Sequence, residues 1–202
     1  MIEFTIQKKS GDNMKKISYN SPVVLSFALL SFVVLILNVV TKGKSNMLLF
    51  CTYRTSLADP LMYVRLFTHV LGHANIQHYI NNMMLLLLIG PMLEEKYGSE
   101  NLLICIIITA LVTGILNNLF FKTALLGASG IVFMMIVMSS FTSLKSGTIP
   151  LTFILILILY LGQEVSSAIL VKDNISQFTH IIGGMSGGFL GYTLNKNKYP
   201  PA

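Results

Sequence analysis

The residues best placed to do chemistry are Leu126-Gly127-Ala128-Ser129-Gly130, a serine held between glycines at the head of an apolar run over 131–138. A serine at that position opens a helix, and the unpaired backbone N–H groups of a helix start gather around it. Two other stretches carry groups that a serine nucleophile needs. His180 precedes Ile181-Ile182-Gly183-Gly184, and His78 stands four residues before Asn82, so the last two project from one helical face. An imidazole takes the proton from a serine hydroxyl near neutral pH and returns it to a leaving amine. The N–H groups of Ala128 and Ser129, with donors from His78 and Asn82, would meet the oxyanion that develops. The plainer reading of such glycine clusters is close approach between membrane helices, and Gly183 with Gly187 forms that kind of small face. Both uses are compatible: close approach at Gly183 would carry His180 to its neighbour.

The elements that must position these groups are membrane spans. Of 202 residues, 53% are hydrophobic and 11% charged, and the mean hydropathy is +0.71. A water-soluble domain does not tolerate that balance. Apolar stretches near the ~20 residues needed to cross a ~30 Å hydrocarbon core fall at 22–40, 76–93, 102–121, 128–144, 149–171 and 178–194. The sequence therefore predicts an all-α polytopic membrane protein of six helices. The first stretch is too long for a signal-peptide core and has no cleavage site behind it, so it reads as a retained span. Lys8, Lys9, Lys15 and Lys16 before it, and Lys196 and Lys198 after the last, place both ends in the cytoplasm. On that reading 1–19 and 196–202 are polar tails around a domain over 20–195.

The net charge of +6 fits anionic inner-leaflet lipid, and no basic face interleaved with aromatics argues for nucleic acid. Cys51 and Cys105 make no disulfide framework. The long connection 41–75 has structure of its own, because Asp59 can cap a helix whose first residue is Pro60. Its aromatics beside Arg65 suit a segment lying in the outer interface. The fifth stretch is plain Ile and Leu up to Gln163-Glu164.

With the N-terminus inside, spans two, four and six all start at the outer face. His78, Asn82, Ser129 and His180 then sit within about seven residues of those starts, hence within roughly 10 Å of one level at 1.5 Å rise per residue. Polar groups at that depth face the bundle or a water-filled cavity. No Asp or Glu lies in the sixth span, and Asp173 falls seven residues before His180. A Ser–His dyad is expected, with Phe133, one turn beyond Ser129, as the ring against His180.

At this point the chain resembles a rhomboid intramembrane serine protease of the minimal six-span form. The resemblance rests on Gly127-x-Ser129-Gly130, His73-x4-His78-x3-Asn82, Arg65 followed by Phe67-Thr68-His69, Glu94-x3-Gly98, and His180-x2-Gly183-x3-Gly187, in family order over about 60–190. It implies cleavage of membrane-anchored substrates in or beside their transmembrane segments, with transmembrane helices and the lipid bilayer as partners and no cofactor. It further implies Ser129 as nucleophile, His180 as base, His78 and Asn82 as oxyanion donors, a half-submerged first loop, and lateral substrate entry at the fifth span near Gln163 and Glu164. Two positions depart from the family pattern: Val64-Arg65 stands where Trp-Arg is usual, and Phe133 where many relatives have Tyr.

Two rival readings come from other classes. His69 and His73 are four apart with His78 nearby, but a zinc helix of the H-E-x-x-H type needs Glu after its first histidine, and Val70 is there. His69 and His73 read instead as loop-packing residues. A silent relative that binds transmembrane helices would be expected to lose the serine or the histidine, and this chain keeps both. Glu164, an acid inside a span, could otherwise hint at ion coupling.

Overall fold

A computed structural model describes residues 3–5, 16–141, 151, 154–155, 158–159 and 174–198. Its helices are α1 (Pro22–Val40), α2 (Lys44–Leu49), α3 (Pro60–Thr68), α4 (Ile76–Tyr97), α5 (Ser99–Phe120), α6 (Ser129–Ser140) and α7 (Asn174–Lys198), with a 3-10 turn at His69–Leu71. Among the described residues the regular structure beyond these helices is a short antiparallel ribbon, Glu3–Thr5 against Lys16–Ser18, where the sequence suggested only a polar tail, and a single bridge between Thr52 and Leu125. Of the fifth expected span only 151, 154–155 and 158–159 are described, all helical, and Gln163, Glu164 and Asp173 lie outside the described residues.

Among the described helices, α1 and α5 are long and apolar enough on their own to cross a membrane. Their side chains are sorted in the opposite sense to a soluble protein. Leu29, Leu30, Val33 and Ile36 of α1, and Leu103, Ile104, Ile107 and Ile108 of α5, point outward, while Ser31, Asn38, Thr109, Thr113 and Asn117 are buried. Apolar surface of this extent costs too much in water and suits helices whose outer face meets hydrocarbon. In that setting the drive to bury apolar area between helices is absent, so close packing and hydrogen bonds must hold the bundle.

The bonds are present at both ends. The start of α1 is capped from 70 residues away: Glu94, buried near the end of α4, accepts from Val23 N and Val24 N at 3.0 Å each and from Ser99 Oγ at 2.7 Å. This explains why α4 continues to Tyr97, four residues beyond its expected end and through Glu94-Glu95-Lys96. Nearby, Asn195 of α7 donates to Tyr97 Oη at 3.2 Å and to the Phe141 carbonyl at 2.6 Å.

At the opposite end the connection 41–75 is ordered by its own residues. The Asp59 side chain caps Leu61 N at 3.0 Å, and Pro60 opens α3, as the sequence indicated. Arg65, buried beneath the loop, pairs with Asp59, donates to the Leu48 carbonyl at 3.3 Å and to Thr55 Oγ1 at 3.4 Å, and lies 4.6 Å from the Tyr53 ring centre. The bond from Arg65 holds the Asp59 carboxyl below the ordinary range. The loop is thus anchored by its arginine with Tyr53 as the stacking ring. Helix α2 had no clear sequence signal; it begins after Lys42 and Gly43 turn the chain through left-handed conformations.

Candidate active site

Ser129 is the first residue of α6, and the turn before it is built on Gly127, whose φ of +124° is open to glycine but strained for other residues. The approach strand is fixed on both sides. Leu125 exchanges two backbone hydrogen bonds with Thr52, at 2.8 and 2.9 Å, and Gly127 N donates to the His69 carbonyl at 3.0 Å. No side chain caps this helix start, and Ala128 and Gly130 are buried while Ser129 is half-buried. The first-turn N–H groups accordingly point at the serine without a built-in acceptor.

The sequence-derived candidates approach this turn from two further helices. His78, in the first turn of α4, lies over Gly127: a methyl group added there would be 2.8 Å from both Cε1 and Nε2 of the imidazole. Its Nδ1 accepts from Ala74 N at 3.5 Å. A backbone N–H can only donate, so the neutral ring carries its proton on Nε2, the nitrogen beside Gly127. Asn82, buried one turn below, donates one amide N–H to the His78 carbonyl at 2.9 Å.

Helix α7 contributes His180, and its ring lies 4.3 Å from that of Phe133, tilted by 41°. What brings α7 in is a backbone contact with α6. A Cβ at Gly183 would meet the Gly130 carbonyl oxygen at 2.2 Å, and one at Gly187 would meet the Met134 carbonyl oxygen at 2.2 Å. Thr179, one turn before Gly183 on the same helix, also packs on Gly130, with its Cγ2 3.3 Å from where a Cβ would stand.

Beneath the turn, His69 and His73 are buried in the loop. His69 Nδ1 donates to the Arg65 carbonyl at 3.1 Å and its Nε2 faces Thr113 Oγ1 at 3.5 Å. His73 Nδ1 donates to the Leu71 carbonyl at 3.1 Å, and its ring stands edge-on to His78 at 5.0 Å and to Tyr79 at 5.5 Å. Burial pushes both histidines down to about 4, with the neighbouring His78 adding to the effect at His73. Both are neutral at physiological pH. Among the described residues no cluster of three His, Cys, Asp or Glu side chains could hold a metal ion.

Sequence reasoning passed over Asn38 and Asn46, whose amides both donate to the His73 carbonyl, at 3.5 and 3.0 Å. Asn38 carried a signal, being an amide within an otherwise apolar span; Asn46 carried none.

A family model described as Rhomboid domain matches residues 60–197. The chain is 29% identical over 132 residues to RHOMBOID-like protein 1 of Arabidopsis thaliana, covering 64% of this chain and 34% of that protein. It is 30% identical over 132 residues to RHOMBOID-like protein 2 of the same plant, covering 60% and 39%. The aligned region therefore spans little more than a third of each curated relative. The family match covers 60–197, which takes in His78 and Asn82 of α4, the Ser129 turn and His180 of α7, and the chain belongs to the rhomboid family of integral membrane proteins.

Proposed function

We propose that this chain is an intramembrane serine endopeptidase that cuts membrane-anchored substrates in or near their transmembrane segments. The observation that carries the reading is the convergence of two distant helices on the start of α6: α4 brings His78 over Gly127, and α7 brings His180 against Phe133 and Gly183 onto Gly130.

In this reading His180, neutral, takes the proton of the Ser129 hydroxyl as Oγ adds to the scissile carbonyl carbon. The carbonyl oxygen becomes an oxyanion met by the first-turn N–H groups at Ala128 and Ser129, by His78 Nε2–H, and by the second amide N–H of Asn82. Collapse of the tetrahedral adduct breaks the C–N bond, and His180 gives its proton to the departing amine. Water then adds to the acyl-serine by the same route in reverse, freeing Ser129. Stacking on Phe133 holds the imidazole where a carboxylate would in a triad.

The reading includes six spans over 20–195, with the 41–75 loop at the outer interface and both termini cytoplasmic. Substrate transmembrane helices enter from the bilayer.

The test is labelling of the purified protein with a fluorophosphonate probe. Wild type labels, and Ser129→Ala and His180→Ala each lose labelling while remaining folded. Labelling that survives His180→Ala removes the dyad. A folded wild type that never labels leaves a bundle that binds transmembrane helices without cutting them.

A further inference from the structure

The peptide unit joining His73 to Ala74 has a hydrogen bond on each of its ends. Its carbonyl oxygen accepts from Asn46 Nδ2 at 3.0 Å and from Asn38 Nδ2 at 3.5 Å, both side chains buried. Its N–H, on the opposite edge of the same plane, donates to Nδ1 of His78 at 3.5 Å. A peptide is rigid and trans, so fixing the oxygen fixes the direction of the N–H. Donors on the oxygen also polarise the amide and strengthen the bond that its N–H makes. The donors come from other elements, Asn38 from the last turn of α1 and Asn46 from α2. Tyr79, beside the His73 ring, donates its hydroxyl to the Ala28 carbonyl at 3.1 Å and so ties the same region to α1.

We propose that the His73–Ala74 peptide sets the tautomer of His78, and that Asn38 and Asn46 are positioning residues acting through it. An N–H held on Nδ1 obliges the ring to keep its proton on Nε2, the atom beside Gly127. When the peptide is released, the ring is free to carry its proton on Nδ1, and Nε2 then turns a lone pair toward the developing oxyanion. One donor becomes a repulsive acceptor without any change at Ser129 or His180. The link from α1 to the chemistry rests on the reading of His78 as an oxyanion donor.

The experiment uses the full chain with 15N-labelled histidine, of which there are four, and compares wild type with the Asn38→Ala/Asn46→Ala double variant. The 15N resonances of His78, assigned by their loss in His78→Ala, report the tautomer, and fluorophosphonate labelling reports the site. Wild type is expected to show a protonated Nε2 and a bare Nδ1. In the double variant the two resonances move toward each other as the tautomers mix. The maximal labelling rate then falls on the order of tenfold, part of the ~10²–10³ that one oxyanion donor is worth, with the probe's half-saturating concentration little changed. Asn46→Asp, which keeps the volume and removes both N–H donors, is read in the same way and serves if the double variant does not fold. Unchanged His78 resonances overturn the proposal whether or not the rate falls. Moved resonances with an unchanged rate support the peptide's role and overturn the oxyanion reading of His78; His78→Ala labelling at the wild-type rate would overturn that reading independently.

Discussion

The backbone contact between α6 and α7 makes Gly183→Ala the sharpest perturbation available. The added methyl would stand 2.2 Å from the Gly130 carbonyl oxygen, an atom of the helix backbone that cannot rotate away. Opening that gap to the ~3.3 Å at which carbon and carbonyl oxygen ordinarily touch requires about 1 Å of separation. Gly130 follows Ser129 directly and Gly183 lies three residues after His180, so the separation falls between the two proposed catalytic groups. A misplacement of that size costs about 10²-fold in rate, or roughly 2.7 kcal/mol of barrier. The assay is the second-order rate of fluorophosphonate labelling, measured beside thermal unfolding. Gly187→Ala meets the Met134 carbonyl one turn away, pivots α7 about its His180 end, and slows labelling less. Gly188→Ala is the control, because its nearest contact beyond the helix, Val137 Cγ1, is 3.9 Å from the new methyl. It should label as wild type and unfold no earlier, since alanine gains roughly 0.5–1 kcal/mol over glycine within a helix. Wild-type labelling in Gly183→Ala, or equal slowing in Gly188→Ala, refutes the argument that close approach positions the dyad.

Gly127→Ala is expected to slow labelling at least tenfold, because a φ of +124° and a methyl 2.8 Å from the His78 ring displace that imidazole; labelling at the wild-type rate would mean His78 has no part. Glu94→Gln should lower stability by about 2 kcal/mol, since one of the two α1 amides then faces an N–H donor, and an unchanged Tm would refute the cap. Stability should also fall on acidification between pH 6.5 and 4. In that window the unfolded chain binds protons at His69 and His73 that the folded chain refuses, a loss on the order of 3 kcal/mol for each histidine. Unfolding scans of wild type against His69→Gln should show a shallower pH slope in the variant, and equal slopes would count against His69 as a source.

Local features were legible wherever the signal was local. Asp59 and Pro60 open α3 through their own side chain and ring, Gly183 and Gly187 lie where small residues must, and Phe133 meets the ring that its helical spacing indicated. Spacing could also set His78 and Asn82 on one face of α4. What stayed hidden depends on partners far along the chain. Nothing around Glu94 says that its carboxylate belongs to α1, because the amides it serves become available only when two helices dock. The same holds for Asn46, whose acceptor is the His73 carbonyl 27 residues away, and for Thr52, which finds Leu125 across the fold. Asn82, expected to supply an oxyanion donor, spends one of its N–H groups on the preceding turn.

The cap on α1 also has a consequence for synthesis. Val23 leaves the ribosome 71 residues before Glu94, an interval of roughly 4 to 14 s at 5–20 residues per second. Throughout it the first amides of α1 have no protein acceptor, so the nascent helix must keep that end at the level of water and headgroups. When α4 arrives, its carboxylate collects both amides together with the Ser99 hydroxyl that opens α5. Helix α1 is therefore locked only once α4 is complete and α5 has begun. Until that moment the order of assembly is guarded by the bilayer.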